Sequence, residues 1–132
     1  FEACDARVLS EALPIVEIVP PGDGFFDFDA KYTYAHGKTE YVIPARISES
    51  AARLAQQRAQ EAFSLLGCKG CARADFIVDA AGQPRLLEIN TFPGMTETSL
   101  VPKAAAHAGL SFETVVERLL GSASLNVAGN TV

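Results

Sequence analysis

The sequence has little of several residue types, and each shortage excludes a class of function. It contains no tryptophan, one methionine and two histidines, and its apolar runs fall short of the roughly 18 residues that a bilayer span requires. No charged and then apolar leader is recognisable at its start. Acidic residues outnumber basic ones, 16 to 11, and the net charge is −5. We therefore expect a soluble, cytoplasmic protein that binds small molecules rather than nucleic acid or membranes.

Cysteine is also scarce, and the three thiols are Cys4, Cys68 and Cys71. An odd number leaves one thiol outside any disulfide scheme, and reduced thiols fit a cytosolic protein. Cys68 and Cys71 have CxxC spacing, but zinc would need two further ligands, and Cys4, His36 and His107 are distant in sequence. Small buried thiols at a helix-to-strand junction are the favoured interpretation, and a redox pair is the alternative.

The remaining composition is that of an ordinary globular protein, with 48% hydrophobic and 20% charged residues over 132 positions. This length is enough for one hydrophobic core. The sequence begins at Phe1 without a methionine, and its first residues look like the middle of a domain. We therefore expect a fragment of a longer protein, with residues 1–121 forming part of one domain and residues 122–132 a flexible tail.

Hydrophobic periodicity predicts an α+β fold. Residues 13–19, 31–34 and 41–44 have the β-branched or aromatic character of short strands. Residues 48–66 instead repeat apolar side chains at helical spacing, with a serine available as the N-cap and Gly67 as the stop. This segment is the clearest helix of the chain, and we expect it to cover one face of a sheet.

The second half of the sequence predicts a hairpin followed by two helices. Residues 73–90 contain two extended segments joined by the turn DAAGQP. An irregular loop, TFPGMTETSL, leads to a helix that begins after Ser99, and residues 111–120 form the last helix. We expect an antiparallel sheet that carries the functional site, with all three helices packed against it.

Three oxygen-bearing side chains of this hairpin are spaced so that they could converge. Glu88 and Asn90 are two residues apart on a strand and therefore share a face, while Leu87 and Ile89 take the other, buried face. Asp75 joins them if the hairpin register sets it opposite one of the two, because opposed residues point the same way. The sequence thus predicts a specific strand pairing.

Two carboxylates and an amide oxygen are hard ligands, which suit Mg²⁺ or Mn²⁺ better than zinc. Magnesium commonly takes one or two protein carboxylates and completes its coordination with water and substrate phosphate. Asp75, Glu88 and Asn90 are therefore candidate ligands of a nucleotide-bound metal. The alternative is an edge hairpin whose polar face is simply solvated.

A second candidate site lies where the helix after Ser99 begins. The serine hydroxyl and the backbone N–H of Leu100 would both lie at a helix N-terminus, which is a natural position for a carboxylate or a phosphate. The alternative for Ser99 is an N-cap with no ligand.

Several of these segments together resemble one family. The runs LGCKGCARADF and LLEINTFPGMTETSLVP, with DFDAKYT upstream and HAGLSFETVVERLL downstream, are similar to the C-terminal part of D-alanine:D-alanine ligases, which are ATP-grasp enzymes. The resemblance extends from about residue 13 to residue 120, and the ExNTxPGMTxxSLxP segment is highly specific. It implies the C-terminal subdomain of an ATP-grasp catalytic domain.

The resemblance also implies an activity. ATP would phosphorylate the carboxylate of one D-alanine, and the amine of a second D-alanine would attack the acyl phosphate, for peptidoglycan precursor synthesis. The family's magnesium ligands match Asp75, Glu88 and Asn90, of which Glu88 also belongs to the nucleotide site. The cations offset the repulsion between a carboxylate and a polyphosphate.

Six further residues match functional positions of the family. Arg73 matches the arginine that stabilises the oxyanion of the tetrahedral intermediate, and Gly94 the glycine whose N–H points at the same oxyanion. Ser99 and the N–H of Leu100 match the pair that holds the carboxylate of the second D-alanine. Lys31 matches a phosphate-contacting lysine, and Tyr32 a loop tyrosine that helps to close the site against water.

The resemblance leaves alternatives open. The family's glycine-rich phosphate loop and substrate-orienting glutamate lie before the segment matched here, and Glu2 matches an adenine-side glutamate only loosely. We therefore expect the isolated fragment to be inactive. We also expect the full-length enzyme to be a homodimer. A ligase that joins D-alanine to D-lactate is one alternative: Lys31 and Tyr32 favour the dipeptide, but His36 keeps the question open. A non-catalytic metal- or nucleotide-binding module is the other.

Overall fold

The computed structural model describes residues 11–20 and 39–123. These residues form an α+β arrangement and confirm the predicted fold class. The elements, in chain order, are β1 (Glu17–Val19), β2 (Glu40–Val42), α1 (Glu49–Leu65), β3 (Arg73–Val78), β4 (Pro84–Asn90), α2 (Leu100–His107) and α3 (Phe112–Ser122). The strand predicted over residues 31–34 lies outside the described residues. None of the helices described here is long and apolar enough to cross a membrane.

The described strands form two separate antiparallel pairs, β1 with β2 and β3 with β4, instead of one continuous sheet. The β1–β2 pair is only three residues long, with Ile18 opposite Tyr41. β1 is therefore shorter than the predicted strand over residues 13–19, because only its last three residues have a partner strand. A bidentate ion pair flanks this short ladder: the Arg46 guanidinium donates to both carboxylate oxygens of Glu17, at 3.0 and 2.8 Å.

Helix α1 has the start and stop that the sequence predicts. The side chain of Ser48 accepts a hydrogen bond from the N–H of Ala51 at 3.2 Å, which satisfies one of the free donors of the first turn. At the other end Gly67 adopts a left-handed φ of 62°, and the N–H of Cys68 bonds to the carbonyl of Phe63. This Schellman ending requires a residue that tolerates positive φ, which is why glycine ends the helix.

Helix α1 also connects the two strand pairs. The side-chain amide of Gln56 donates to the carbonyl of Leu13, just before β1, at 3.1 Å. Two residues later Arg58 donates to the carbonyl of Pro84, the first residue of β4 and a fully buried one. Ala51 and Ala55 are buried on the same helix. Helix α1, whose buried side chains are small, therefore packs against the hairpin that carries the candidate site.

The β3–β4 hairpin turns at Asp79. One carboxylate oxygen of Asp79 accepts the N–H groups of Ala81 and Gln83 at 3.0 and 2.9 Å, and Gly82 adopts a φ of 75°. These hydrogen bonds, chiefly that from Gln83, and the neighbouring Arg85 guanidinium lower the pKa of Asp79. A short acidic side chain that satisfies its own turn therefore fixes where the two strands meet.

The C-terminal helices pack against each other. Their shared core consists of Val101, Ala104 and Ala105 from α2 and Val115 from α3. The side chain of Ser111 accepts a hydrogen bond from the N–H of Thr114 and so caps α3. α3 continues through Ser122, two residues beyond the predicted end of this helix. Residues 124–132 of the predicted tail lie outside the described residues.

Candidate functional site

The register of the hairpin brings the three predicted metal ligands to one face. Asp75 lies directly opposite Glu88, and Arg73 lies directly opposite Asn90. Because opposed residues of an antiparallel pair point to the same side, all four side chains share a face. The predicted pairing of Asp75 with the Glu88 strand is therefore confirmed, and Arg73 lies on the same face.

A β-bulge interrupts this register immediately after the site. The pairing shifts between Asp75 and Phe76, so that Phe76 faces Leu86 and Leu87 has no opposite residue of its own. Leu87 is 60% exposed, and its predicted place on the buried face was wrong. The alternation assumed for β4 fails at this one residue, because a bulge adds a residue to one strand only. Glu88 and Asn90, beyond the bulge, keep the expected alternation.

A guanidinium lies between the two carboxylates. Arg73 Nε donates to Asp75 Oδ1 at 2.7 Å and Arg73 Nη2 donates to Asp75 Oδ2 at 2.9 Å. The same Nη2 lies 3.9 Å from Glu88 Oε1. The side chains of Arg73 and Asp75 are 25% and 19% exposed, whereas that of Glu88 is 54% exposed. The site thus combines one partly buried ion pair with a more accessible carboxylate.

The donor set fits a hard divalent cation. Two carboxylates and the Asn90 amide oxygen share one face, and oxygen ligands of this kind suit Mg²⁺ or Mn²⁺. Within the described residues no three His, Cys, Asp or Glu side chains come together to hold a metal, so the third donor would be the amide. Asn90 Oδ1 accepts the N–H of Phe92 at 2.9 Å, which orients that amide. A carbonyl oxygen has a second lone pair, which can still bind a cation.

The second candidate site lies at the start of α2. Ser99 is the N-cap residue, but its side chain makes no capping hydrogen bond to the helix. Its hydroxyl oxygen instead accepts the N–H of Thr96 at 3.0 Å and lies 2.8 Å from Thr96 Oγ1. The N–H of Leu100, the first helical residue, has no intrahelical carbonyl to which it can donate. The predicted helix N-terminus is confirmed, and the serine is held by the preceding loop.

Gly94 contacts this serine closely. A Cβ atom at position 94 would lie 2.8 Å from Ser99 Oγ, closer than real Cβ contacts allow. The family resemblance attributes this glycine to an N–H directed at an oxyanion, and the structure adds a steric reason for it. Thr96, which holds the serine hydroxyl, was missed by the sequence reasoning. The signal available for it was a threonine three residues before a serine at a loop-to-helix junction.

Four residues that the sequence analysis discussed fall in segments that the structure does not describe. Lys31 and Tyr32 lie outside the described residues, as do Glu2 and His36. The described cysteines, Cys68 and Cys71, are free thiols, and burial raises the pKa of Cys71.

Comparison with known proteins identifies related chains. Residues 5–121 match the family model described as the D-ala D-ala ligase C-terminus. A D-alanine–D-alanine ligase from Syntrophotalea carbinolica is 50% identical over 115 residues, which cover 87% of this chain and 36% of the relative. The D-alanine–D-alanine ligase of Anaeromyxobacter dehalogenans strain 2CP-1 is 50% identical over 122 residues, covering 92% of this chain and 39% of that protein.

Solved structures agree with these matches. The D-alanine–D-alanine ligase of Bacillus anthracis superposes with a TM-score of 0.67 at 29% identity, covering 83% of this chain and 35% of the ligase. Its complex with ATP superposes with a TM-score of 0.65 at 31% identity. The VanG D-Ala:D-Ser ligase from Enterococcus faecalis superposes with a TM-score of 0.60 at 33% identity, over 80% of this chain and 29% of that protein. The chain thus spans between 29% and 39% of the length of the related proteins named here.

Proposed function

We propose a function that follows from one finding: this chain belongs to the D-ala D-ala ligase C-terminus family. The chain is the C-terminal part of an ATP- and Mg²⁺-dependent ligase that joins two D-alanine molecules. The relatives with this activity in their names are about half identical to the chain, which supports the assignment. A related ligase has been crystallised with ATP, which supports ATP as the energy source.

The proposed reaction proceeds in two steps, a phosphoryl transfer and an acyl transfer. The carboxylate of the first D-alanine attacks the γ-phosphorus of ATP, which yields an acyl phosphate and ADP. The amine of the second D-alanine then attacks the acyl carbon, and the tetrahedral intermediate loses phosphate and a proton to give the dipeptide. The chain's own residues must bind and orient two anionic substrates and stabilise one oxyanion.

Asp75, Glu88 and Asn90 would hold the divalent cation, Glu88 on the nucleotide side. When bound, the cation neutralises phosphate charge and so permits a carboxylate to approach ATP. The observation that carries this assignment is the hairpin register, which sets Asp75 opposite Glu88 and puts Asn90 on the same face. The hydrogen bond from the Phe92 N–H orients the Asn90 amide and is compatible with this role.

Arg73 and the N–H of Gly94 would stabilise the oxyanion of the intermediate, and Arg73 lies on the same strand face as the metal ligands. The Ser99 hydroxyl and the Leu100 N–H would bind the carboxylate of the second D-alanine, at the positive end of the α2 dipole. From the family resemblance, Lys31 would contact phosphate and Tyr32 would help to exclude water.

The acceptor specificity is the finer part of the proposal. Lys31 and Tyr32 favour D-alanine over D-lactate as the second substrate, and a structural relative uses D-serine. Turnover of the full-length protein with D-alanine, D-serine and D-lactate as acceptor measures this preference directly. Faster turnover with D-lactate than with D-alanine would contradict the dipeptide assignment.

We further propose that the full-length protein acts in the cytoplasm as a homodimer, in peptidoglycan precursor synthesis. Size-exclusion chromatography with light scattering measures the oligomeric state of the full-length protein.

The experiment that tests the metal assignment compares two substitutions in the full-length protein. Glu88→Gln and Asn90→Ala each remove an oxygen ligand or its charge, so the Mg²⁺ concentration for half-maximal ligase activity should rise about tenfold or more. The measurement is D-alanine-dependent phosphate release over a Mg²⁺ titration, together with thermal unfolding.

Glu117→Gln is the matched control because it removes the same charge from an exposed position on α3, a helix that packs against α2. Its Mg²⁺ requirement should equal that of the unmodified protein. Full activity of the Glu88→Gln or Asn90→Ala variant at limiting Mg²⁺ would refute the ligand assignment.

A further inference from the structure

We propose that Thr96 is a positioning residue for Ser99. Its hydroxyl and its N–H occupy both lone pairs of the Ser99 oxygen, so that Ser99 can only donate a hydrogen bond to the carboxylate of the second D-alanine. This inference rests on the proposed function, because it takes the Ser99 hydroxyl and the Leu100 N–H as the acceptor site. It adds to that function a residue that determines how the serine hydroxyl is oriented.

The first observation is that Thr96 and Ser99 are joined in both directions. The Thr96 N–H donates to Ser99 Oγ at 3.0 Å, and the two side-chain oxygens lie 2.8 Å apart. In return the Ser99 N–H donates to the Thr96 carbonyl at 2.9 Å. The backbone bond closes a turn over residues 96–99, which holds the two side chains together independently of the helix that follows.

The second observation is that Ser99 does not cap its helix. The serines that precede α1 and α3, Ser48 and Ser111, accept hydrogen bonds from the N–H groups of Ala51 and Thr114 in their first turns. Ser99 precedes α2 in the same extended backbone conformation but makes no such bond. Its hydroxyl is therefore oriented by the preceding loop, and a carboxylate can bind at the start of α2 without displacing a serine cap.

The direction of the hydrogen bond between the two hydroxyls follows from their protons. Each hydroxyl has one proton and two lone pairs. If Thr96 donates to Ser99, the Ser99 oxygen accepts both the hydroxyl and the N–H of Thr96, and its own proton remains for a ligand. In the reverse direction Ser99 would present a lone pair, which a carboxylate repels. A bound carboxylate therefore selects the direction in which Thr96 is the donor.

A third hydroxyl is compatible with this direction. Thr98 Oγ1 lies 3.1 Å from Thr96 Oγ1. When Thr96 donates its proton to Ser99, its oxygen can accept the proton of Thr98, so that the three hydroxyls donate in sequence toward the acceptor site. Hydrogen bonds in such a chain polarise one another, which strengthens the last donor.

The test compares Michaelis constants of variants of the full-length protein. Thr96→Val removes the hydroxyl at an exposed position but keeps the shape of the side chain and the backbone N–H and carbonyl that form the turn. The KM for the second D-alanine should rise about fivefold, the equivalent of one neutral hydrogen bond. The KM for ATP and kcat at saturating D-alanine should stay within about twofold. Thr96→Ser, which keeps the hydroxyl, should retain the original KM. An unchanged KM in Thr96→Val would overturn the inference.

Thr114→Val is the matched control. The Thr114 N–H donates to Ser111 Oγ, and Thr114 Oγ1 lies 3.2 Å from that oxygen, which is the same arrangement at the start of a different helix. The substitution removes the same group beside a serine that has no proposed substrate, so the KM for the second D-alanine should stay within about twofold. An equal rise in Thr114→Val and Thr96→Val would overturn the inference.

A double-mutant cycle with Ser99→Ala separates a positioning role from a direct one. In the Ser99→Ala background Thr96 has no hydroxyl to orient, so the addition of Thr96→Val should change the KM for the second D-alanine by no more than about twofold. An additive rise in KM would overturn the inference, because Thr96 would then act independently of Ser99.

The Ser99→Ala variant also distinguishes the two possible failures. A raised KM in Ser99→Ala with an unchanged KM in Thr96→Val would overturn the inference alone. An unchanged KM in Ser99→Ala would overturn the acceptor site and the inference together. If Thr96→Val did not fold, Thr96→Ala and Thr96→Ser would replace it, because these two variants differ only by the hydroxyl. Equal KM values in that pair would overturn the inference, and a KM about fivefold higher in Thr96→Ala would support it.

Discussion

At the residue scale, the predictions from strand alternation succeed where only neighbouring residues matter. Glu88 and Asn90 share a face because they are two residues apart and the bulge does not fall between them. Leu87 fails because its position depends on a bulge, which is a property of the pairing and not of β4 alone. The partner of Arg73 was also not predicted, because two residues on one face can point apart or form an ion pair.

The contact between Gly94 and Ser99 gives a prediction at this scale. Gly94→Ala should displace the Ser99 hydroxyl, because the new Cβ would lie 2.8 Å from it. We expect the KM for the second D-alanine to rise about tenfold, as for the loss of one hydrogen bond to a charged group, with little change in the KM for ATP. Steady-state kinetics of the full-length protein measure both constants.

Gly121→Ala is the control for this substitution, since a Cβ at that position meets no atom within 4 Å. Its kinetic constants should equal those of the unmodified protein. If Gly94→Ala left the KM for the second D-alanine unchanged, the acceptor-carboxylate role of Ser99 would lose its support.

At the scale of elements, the helices were predicted better than the strands. α1 begins after Ser48 and ends before Gly67, because its caps and its apolar spacing are all local in sequence. β1 is shorter than its hydrophobic run suggests, since the length of a strand depends on how many residues find a partner. The Glu17–Arg46 pair beside β1 joins positions 29 apart, and only the tertiary structure reveals it.

That pair predicts a pH dependence. The hydrogen bonds and charge of Arg46 lower the pKa of Glu17 below its ordinary value of 4.5. The stabilisation is therefore fully present above the ordinary pKa and is lost as the pH falls through the lower, folded-state value. Glu17→Gln should be less stable than the unmodified protein at neutral pH, and the difference should disappear as the pH falls below the folded-state pKa of Glu17.

Urea unfolding of both proteins between neutral and acidic pH measures this difference. Residues that titrate in both proteins contribute equally to the two free energies of unfolding, so their contributions cancel in the difference. A stability difference that stays constant down to the lowest pH would show that Glu17 does not act through its charge.

At the scale of the whole molecule, the described residues form a thin core. Their buried apolar residues are alanines and valines, such as Ala55 and Val115, while Leu65 and Phe92 are 87% and 93% exposed. The chain also spans only 36% and 39% of the two D-alanine–D-alanine ligases of Syntrophotalea carbinolica and Anaeromyxobacter dehalogenans. The residues proposed to form the site thus lie in a segment that matches little more than a third of each of these relatives.

We therefore predict that the 132 residues by themselves have no measurable ligase activity. The chain supplies the proposed metal ligands, the oxyanion group and the acceptor site, but the resemblance assigns the phosphate loop to other segments of the family. Phosphate release with ATP, Mg²⁺ and D-alanine measures the activity, with the full-length protein as the positive control. Robust release by the 132 residues would show that the other segments are not essential.

The sequence by itself determined which segments form helices, where they start and stop, and which face Glu88 and Asn90 share, because each of these depends on residues within a few positions of one another. The family motifs likewise depend on local order. Only the tertiary structure decided the register that sets Asp75 opposite Glu88, the bulge that exposes Leu87, and the ion pair between Arg73 and Asp75. Register and bulge arise when two strands meet, and an ion pair depends on which rotamers the surroundings permit.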